Sequence, residues 1–318
     1  MKNRALALLS GEATTVPLAE AKSLFLAYDE GSRFASPSPR VLLCESEADP
    51  FLIGSRIAFA RRVGVMVDGR AEAAPLLRGR RVRFRAFDLR KEGSPPEAGE
   101  YLAGIDAEID LQSPEVELTL VRADIDYLAV TEPMTMVQGW SRRRPRRRPF
   151  FHPAAIFPKL SRALVNLTRC REGDLFLDPF AGTGSLSIEA QLVGARVVAV
   201  DVAEAMVRGE LANMKHFGQE WLGSVRADST SLPVTTVDAV ATDLPYGRAS
   251  STHGSTPAAV LARFLPAAAV AVHPGGFLVL MHQKEVEVGT GADFSLVEEH
   301  DLYVHKLLTR TISVLRKR

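Results

Sequence analysis

The chain has 318 residues, of which 46% are hydrophobic and 24% charged, and its formal net charge is +1. These values are typical of a folded globular protein of about two domains, and they exclude collagen-like repeats and a fully disordered chain. The cysteines Cys44 and Cys170 are too few for a disulfide framework or a four-cysteine zinc site, which favours a reducing cytoplasm. No apolar run approaches the ~18 residues that span a bilayer, and the N-terminal residues lack a signal-peptide core, so we expect no membrane attachment.

The first part of the chain is predicted to be an α+β region. The predicted elements are a strand at 4–9, a helix at 17–28, a loop at 31–40, a strand at 41–44, helical spacing at 52–63, and strands at 81–87 and 116–121. In the strand 81–87, Arg81, Arg83 and Arg85 alternate with apolar residues and therefore share one face. Such a face is suited to phosphate groups. The alternatives are a solvated strand face or arginines that bind acids within the protein.

Residues 133–149 are predicted to form a basic linker, because they have little hydrophobic periodicity and contain two prolines in their basic part. Residues 142–148 contain six arginines around Pro145. A local basic block on a nearly neutral protein indicates a confined surface for a polyanion, although a merely solvated charge run is the alternative. The candidate RNA-binding residues of this block are Arg143, Arg144, Arg146 and Arg147.

The second part of the chain alternates strictly between short apolar runs and helical stretches. The expected strands are 175–178, 196–201, 224–228, 237–243, 277–281, 296–304 and 308–315, and the expected helices are 184–193, 203–217 and 257–272. Alternating β and α units predict a mostly parallel sheet with helices on both faces. The last two runs are close enough along the chain to pair as an antiparallel hairpin.

Three predicted strands are followed by features suited to an adenosine nucleoside. The first strand ends in Asp178 and leads into a turn that contains Gly182, Thr183 and Gly184, where the backbone is able to approach a ligand closely. Asp201 ends the second strand, where a carboxylate can bind both ribose hydroxyls, and Asp228 ends the third, where it can accept a hydrogen bond from an adenine amino group. The glycine fingerprint of nicotinamide-dinucleotide-binding proteins would place a third glycine at position 187. Ser187 stands there instead, which argues against a nicotinamide cofactor.

The fourth strand of this part ends in Asp243, Leu244, Pro245 and Tyr246. Together with the turn after Asp178, this motif resembles class I, AdoMet-dependent methyltransferases that act on exocyclic amino nitrogens. The resemblance implies that Asp243 and the carbonyl of Leu244 accept hydrogen bonds from the target NH₂ group, while Tyr246 stacks on the flat target. Pro245 removes a backbone donor and stiffens the turn.

The resemblance becomes closer upstream. The segments 148–153 and 158–166, the run 243–250 and the ending 305–310 are similar to archaeal THUMP-domain tRNA (guanine-N2-)-methyltransferases acting at guanosine 10. This resemblance implies that the segment around Phe151 and His152 contacts the cofactor, that AdoMet is the methyl donor, and that tRNA is the partner. It also implies four regions, which are a ferredoxin-like region at 1–45, a THUMP domain at 46–132, the linker at 133–149 and a methyltransferase domain at 150–318. No metal is expected, because His152 and His253 lack metal-ligand spacing, and we expect a monomer.

The target nucleotide stays open at this point, because Leu244 stands where the family usually has proline. Leucine there also occurs in relatives that methylate guanosine 6 of tRNA, and the transfer of one or of two methyl groups is compatible with the motif. Rival functions are methylation of DNA adenine or protein glutamine, RNA binding without catalysis by a relict methyltransferase fold, and nicotinamide-dependent chemistry.

Overall fold

The computed structural model describes residues 2–90, 96–133, 139–218, 221–245, 256–305 and 308–318. The chain forms two compact units, Met1–Gln138 and Gly139–Arg318. The arginine-rich segment 142–148 therefore belongs to the second unit, together with the residues that follow it. Among the described residues, no helix has the length and apolar character needed to cross a membrane.

The first unit is built on one eight-stranded sheet. Its strand order is β2-β3-β1-β4-β8-β7-β5-β6, and the pairs are antiparallel except β5 with β6 and β5 with β7. In chain order the elements are β1 (Asn3–Leu9), α1 (Val16–Tyr28), β2 (Arg33–Ser38), β3 (Val41–Ser46), α2 (Pro50–Arg56), β4 (Ala60–Val67), α3 (Arg70–Leu77), β5 (Arg81–Asp88), α4 (Ala98–Leu102), β6 (Glu108–Ile109), β7 (Val116–Arg122) and β8 (Asp126–Thr131). Strands from before and after residue 45 share this sheet, so the sheet has no boundary at that position.

Two predicted elements of the first unit differ from the structure. The predicted loop 31–40 contains β2, and the helical spacing at 52–63 covers the short helix α2 followed by the start of β4. Helix α2 ends because Ile57 adopts an extended backbone, after which β4 pairs with both β1 and β8. At Gly64 a Cβ atom would lie 2.0 Å from the carbonyl oxygen of Val130. Cross-strand pairing of this closeness overrides the local helical pattern.

The second unit contains a seven-stranded sheet of order β11-β10-β9-β12-β13-β15-β14. After 3₁₀ turns at Gly139–Ser141 and Pro145–Arg147, its elements are α5 (Pro158–Leu167), β9 (Leu175–Asp178), α6 (Ser185–Gln191), β10 (Arg196–Asp201), α7 (Glu204–His216), β11 (Gly223–Arg226), β12 (Val237–Asp243), α8 (Pro257–Ala271), β13 (Val272–Gln283), β14 (Phe294–His305) and β15 (Leu308–Lys317). The first five strands in this order pair in parallel, and β15 pairs antiparallel with β13 and β14. The predicted mostly parallel sheet with an antiparallel C-terminal hairpin is confirmed.

The order of the second sheet places a crevice beside β9. Strand β9 lies between β10 and β12. The strand order therefore reverses at β9, with β10 and β11 on one side of it and β12 and β13 on the other. Ligands of open α/β sheets bind at such a reversal, outside the carboxyl ends of the strands. Asp178, Asp201 and Asp243 are the last residues of β9, β10 and β12 and therefore lie at that edge.

Candidate active site

The turn between β9 and α6 depends on two glycines. Gly182 and Gly184 have φ values of 54° and 78°, in the left-handed region that disfavours side chains. Behind Gly184, an added Cβ would lie 2.6 Å from Cγ of Glu210, so position 184 has no room for a side chain. The glycine turn 180–184 thus has a backbone conformation that favours glycine, and its contact with a ligand stays a prediction.

Asp178 is a buried carboxyl group with one oxygen in use. Its Oδ1 accepts hydrogen bonds from Thr242 Oγ1 at 2.9 Å and from the backbone N–H of Phe180 at 3.3 Å. Its Oδ2 is buried and has no hydrogen-bond partner among the described residues. Burial raises the pKa of Asp178 well above its ordinary value, and the nearby Glu210 and Asp201 add to this effect. A buried carboxyl oxygen without a hydrogen-bond partner is suited to bind a polar group of a ligand.

Asp201 fixes the shape of the glycine turn. Its Oδ2 accepts the backbone N–H of Gly182 at 2.9 Å, and its Oδ1 accepts that of Ala203 at 2.8 Å. Burial raises the pKa of Asp201, and these backbone bonds oppose the shift. The structure therefore brings Asp178, Gly182 and Asp201 together, with the carboxylate of Asp201 in direct contact with the turn.

Asp228 lies in the segment that follows β11. It lies two residues beyond the end of β11 and is exposed. Its Oδ1 accepts hydrogen bonds from the backbone N–H and the hydroxyl of Thr230, both at 2.8 Å. These bonds close a turn after the strand, and the adenine-binding role of Asp228 stays a prediction.

The predicted amine-binding motif, residues 243–246, begins at the last residue of β12. Asp243 ends the strand, and Arg310 Nη1 lies 3.4 Å from its Oδ2. Leu244 is buried and its backbone N–H donates to the carbonyl of Met281 at 2.9 Å, which anchors the start of the motif on β13. Pro245 is half-buried. Tyr246 and residues 247–255 lie outside the described residues.

Asn213 on α7 is a site residue that the sequence analysis missed. It is fully buried, and its Nδ2 donates to the carbonyl of Phe150 at 3.0 Å and to that of Thr183 at 2.9 Å. Because Thr183 belongs to the glycine turn, Asn213 joins that turn to the segment containing Phe151 and His152. Phe151 is 43% exposed and His152 half-buried. The sequence shows only an asparagine within the predicted helix 203–217, and its burial against the glycine turn is a result of the fold.

Glu210, also on α7, is a second residue that the sequence analysis did not single out. It is buried directly behind Gly184, and burial raises its pKa to about 7, with Asp201 adding to the shift. Glu210, Asp178 and Asp201 thus place three acidic side chains next to the glycine turn. Within the described residues, no group of three or more His, Cys, Asp and Glu side chains is arranged to hold a metal ion.

The arginine-rich segment of the second unit divides into inward and outward residues. Arg143 is buried and pairs with Glu189 on α6, with Nε and Oε1 2.6 Å apart. Arg148 is buried and donates to Ser185 Oγ at 2.7 Å. Arg142, Arg144, Arg146 and Arg147 are exposed. The inward arginines fasten the segment to α6, and the outward ones form the surface that faces solvent.

The arginines of β5 lie around an acidic residue of β7. Arg83 and Arg85 form ion pairs with Glu117, and Arg62 of β4 pairs with the same carboxylate. Glu117 is fully buried; burial opposes its ionisation, but the bonds from Arg62 and Arg83 outweigh this and lower its pKa. Arg81 is paired with Asp110 and Glu115. Acids within the protein thus bind these arginines, although three cations around Glu117 leave a positive local charge.

The strand order of the second sheet, the glycine turn after β9 and the strand-end acids define the class I methyltransferase fold. Among the solved structures that share the fold, two cover nearly the whole chain. TrmN from Thermus thermophilus matches with a TM-score of 0.53 and 21% identity over 99% of this chain and 100% of that chain. A possible methylase from Clostridium difficile 630 matches with a TM-score of 0.50 and 13% identity over 100% of this chain and 99% of that chain.

Sequence comparisons identify the family. Residues 145–305 match the family model described as RMKL-like, methyltransferase domain. The tRNA (guanine(10)-N2)-dimethyltransferase of Methanothermobacter thermautotrophicus is 35% identical over 216 residues, covering 66% of this chain and 63% of that protein. The probable tRNA (guanine(10)-N2)-dimethyltransferase of Methanothermococcus thermolithotrophicus is 33% identical over 168 residues, covering 50% of this chain and 98% of that protein. The chain belongs to the RMKL-like methyltransferase-domain family. Its match spans less than two thirds of the length of the first of these relatives.

Proposed function

We propose that this protein transfers one or two methyl groups from AdoMet to the exocyclic N2 of guanosine 10 in tRNA. One observation carries the proposal. Thr242, the residue before Asp243, donates a hydrogen bond to Asp178 at 2.9 Å. This bond joins the strand that carries the amine-binding motif to the strand that carries the glycine turn. A methyl donor bound on the turn and an amine bound at Asp243 would therefore meet at one sheet edge. The names of the archaeal relatives supply the target nucleotide.

The residues around the glycine turn fit AdoMet, whose sulfonium supplies an activated methyl group. The partnerless Oδ2 of Asp178 is suited to accept an ammonium N–H. Asp201 keeps lone pairs for ribose hydroxyls while it holds Gly182. Gly182 and Gly184 allow the ligand to approach the backbone, and Asn213 holds the segment of Phe151 and His152 against the turn.

The motif after β12 suits an exocyclic amine attached to an aromatic ring. The lone pair of such an amine is delocalised into the ring and is a poor nucleophile. Acceptors that draw on its N–H bonds localise that lone pair on nitrogen, so no strong base is needed. In our proposal these acceptors are the carboxylate of Asp243 and the carbonyl of Leu244. Pro245 adds no competing donor, and Tyr246 stacks on the base, which is worth roughly 1–3 kcal/mol in single-strand binders.

The arginine surfaces supply contacts to the tRNA phosphates in this proposal. Arg144, Arg146 and Arg147 are exposed on the unit that contains the site. Further phosphate contacts would come from the arginines of β5 and from the RNA-binding THUMP domain that the resemblance implies for residues 46–132. Phosphate contacts locate the RNA without selecting the atom. Guanosine 10 lies in a helical stem, so its base has to be extruded, at a cost of about a few kcal/mol.

The test uses an unmodified tRNA transcript and labelled AdoMet, followed by mapping of the labelled nucleotide. We expect N2-methylguanosine or N2,N2-dimethylguanosine at position 10 and no product with a transcript in which that guanosine is replaced by adenosine. A second transcript with guanosine 6 replaced is the matched control and should be modified normally. Label at position 6 would contradict the proposed nucleotide, and absence of transfer to any tRNA would contradict the proposed activity.

A further inference from the structure

The register of the second sheet places an arginine close to the proposed amine acceptor. Asp243 on β12 is opposite Met281 on β13, and Met281 is opposite Ile312 on β15. Residues in register across a sheet share one face, as do residues two apart along a strand. Arg310, two residues before Ile312, therefore lies on the same face as Asp243. It pairs with Gln283, two residues nearer than Met281 to the carboxyl end of β13.

Arg310 reaches Asp243 across the intervening strand. Its Nη1 lies 3.4 Å from Asp243 Oδ2 and 3.9 Å from Met281 Sδ, so the guanidinium passes over the thioether to the carboxylate. The side chains of Arg310 and Asp243 are only 17% and 13% exposed. Water therefore screens this pair less than it screens a surface ion pair.

We infer that Arg310 is a positioning residue for Asp243 in the methyl-transfer reaction, an inference that rests on the proposed function. A contact to Oδ2 restricts rotation of the carboxylate plane and thereby fixes the direction in which Asp243 accepts the N–H bonds of the amine. Arg310 acts through Asp243 and is not assigned a contact with the substrate.

The chain offers a matched control for this role. Arg316 lies on the same strand and the same face as Arg310, six residues away toward the opposite edge of the sheet, where it is exposed and its guanidinium lies 5.7 Å from the centre of the Phe277 ring. Arg310→Met removes the charge and keeps an apolar stem, Arg310→Lys keeps the charge without the planar fork, and Arg316→Met removes a charge from the same strand away from the site.

The experiment measures kcat and the KM for tRNA at saturating AdoMet, the Kd of AdoMet by calorimetry, and the thermal midpoint of each variant. We expect Arg310→Met to lower kcat by about tenfold or more, since it removes the support of a group that acts in the transition state. The KM for tRNA and the Kd of AdoMet should stay within about twofold of the wild type, partial recovery is expected with Arg310→Lys, and no loss with Arg316→Met. In an Asp243→Ala background, Arg310→Met should cause no further loss, because the two residues act as one unit.

Several outcomes would overturn the inference. An unchanged kcat shows that Asp243 needs no such support, and a raised KM with unchanged kcat makes Arg310 a tRNA contact instead. A fall in kcat accompanied by equal losses in Arg316→Met or in AdoMet binding indicates a structural role. Wild-type transfer to another guanosine contradicts the proposed nucleotide alone, and the same comparison then applies to that nucleotide. Wild-type inactivity on every tRNA contradicts both proposals.

Discussion

Asn213 and Phe150 bind each other through two reciprocal hydrogen bonds. The backbone N–H of Phe150 donates to Asn213 Oδ1 at 2.9 Å, and Asn213 Nδ2 donates to the carbonyl of Phe150 at 3.0 Å. The second hydrogen of the amide goes to Thr183, so both of its donors and its acceptor are used. A side chain from α7 thus clamps the segment before Phe151 to the glycine turn, and the order of this part of the site depends on packing at α7.

Gly209, one helical turn before Asn213, tests this packing. In an exposed helix, replacing glycine by alanine stabilises by about 1 kcal/mol. At Gly209 a Cβ would lie 2.0 Å from Cδ1 of Phe150, so we expect Gly209→Ala to destabilise by about 1–3 kcal/mol and to weaken AdoMet binding. Gly99→Ala on α4, where nothing lies within 4 Å of the added Cβ, is the control and should not destabilise. Urea unfolding and calorimetry measure both effects, and equal behaviour of the two variants would contradict the clamp.

Asp243→Ala should separate chemistry from cofactor binding. Asp243 ends β12, and the residues assigned to AdoMet lie around the turn after β9. We expect methyl transfer to fall by roughly 100-fold or more, as when an electrostatic group of the transition state is removed. AdoMet affinity should stay close to that of the wild type, and Asp243→Asn, which keeps one acceptor oxygen, should be intermediate. Turnover of the alanine variant within threefold of the wild type, ~0.65 kcal/mol of barrier, would refute the assigned role.

Glu210 should make stability depend on pH. Its pKa is about 7 in the folded protein because of burial, above its ordinary value of 4.5. The folded state therefore holds a proton that the unfolded state releases, and the free energy of unfolding falls as pH rises from about 4.5 to about 7. The full effect is about 3 kcal/mol, of which Glu210→Gln should remove most. Urea unfolding at pH 5 and pH 8 should show the variant gaining stability relative to the wild type at the higher pH, and a parallel decline of both proteins would argue against this assignment.

The outward arginines of the segment 142–148 should control tRNA affinity. Replacing Arg144, Arg146 and Arg147 by glutamine should weaken binding and reduce the slope of log K against log salt by roughly one for each phosphate that these side chains no longer bind. Arg208→Gln on α7, also exposed but paired with Glu204, is the control and should keep the slope. Filter binding over a salt series measures both. An unchanged slope in the triple variant would mean that these arginines are only solvated.

The arginines of β5 need a different test, because Arg83 shares the buried carboxylate of Glu117. Arg83→Gln weakens the pairing of a buried charge, and with Arg62 and Arg85 still present we expect a loss of about 1–3 kcal/mol of stability. Arg81→Gln breaks only partly exposed pairs and should cost less than about 1 kcal/mol. Chemical unfolding of both variants distinguishes them. If Arg81→Gln keeps the stability but lowers tRNA affinity, the phosphate role of this residue is supported.

The sequence by itself predicted the second unit closely, because its signals are local. Each strand of the parallel sheet is a short apolar run, and the acids Asp178, Asp201 and Asp243 mark strand ends. The glycine turn follows from backbone conformations that only glycine adopts easily. The topology of alternating β and α units then places these residues at one edge. The same local logic missed β2 and the change from helix to strand after Arg56, where pairing with neighbouring strands decides the structure.

Only the tertiary structure decided which charges are partners. Arg83 and Glu117 are 34 residues apart, Arg143 and Glu189 are 46 apart, and Asp243 and Arg310 are 67 apart. A basic run has the same appearance in sequence whether its arginines point to solvent or to a buried acid. Arg143 is buried because the packing of α6 places Glu189 within reach of its guanidinium group. The guanidinium groups of Arg144, Arg146 and Arg147 stay exposed. Burying a charge costs free energy unless a partner lies within reach, and that partner is supplied by the fold and not by neighbours in the sequence.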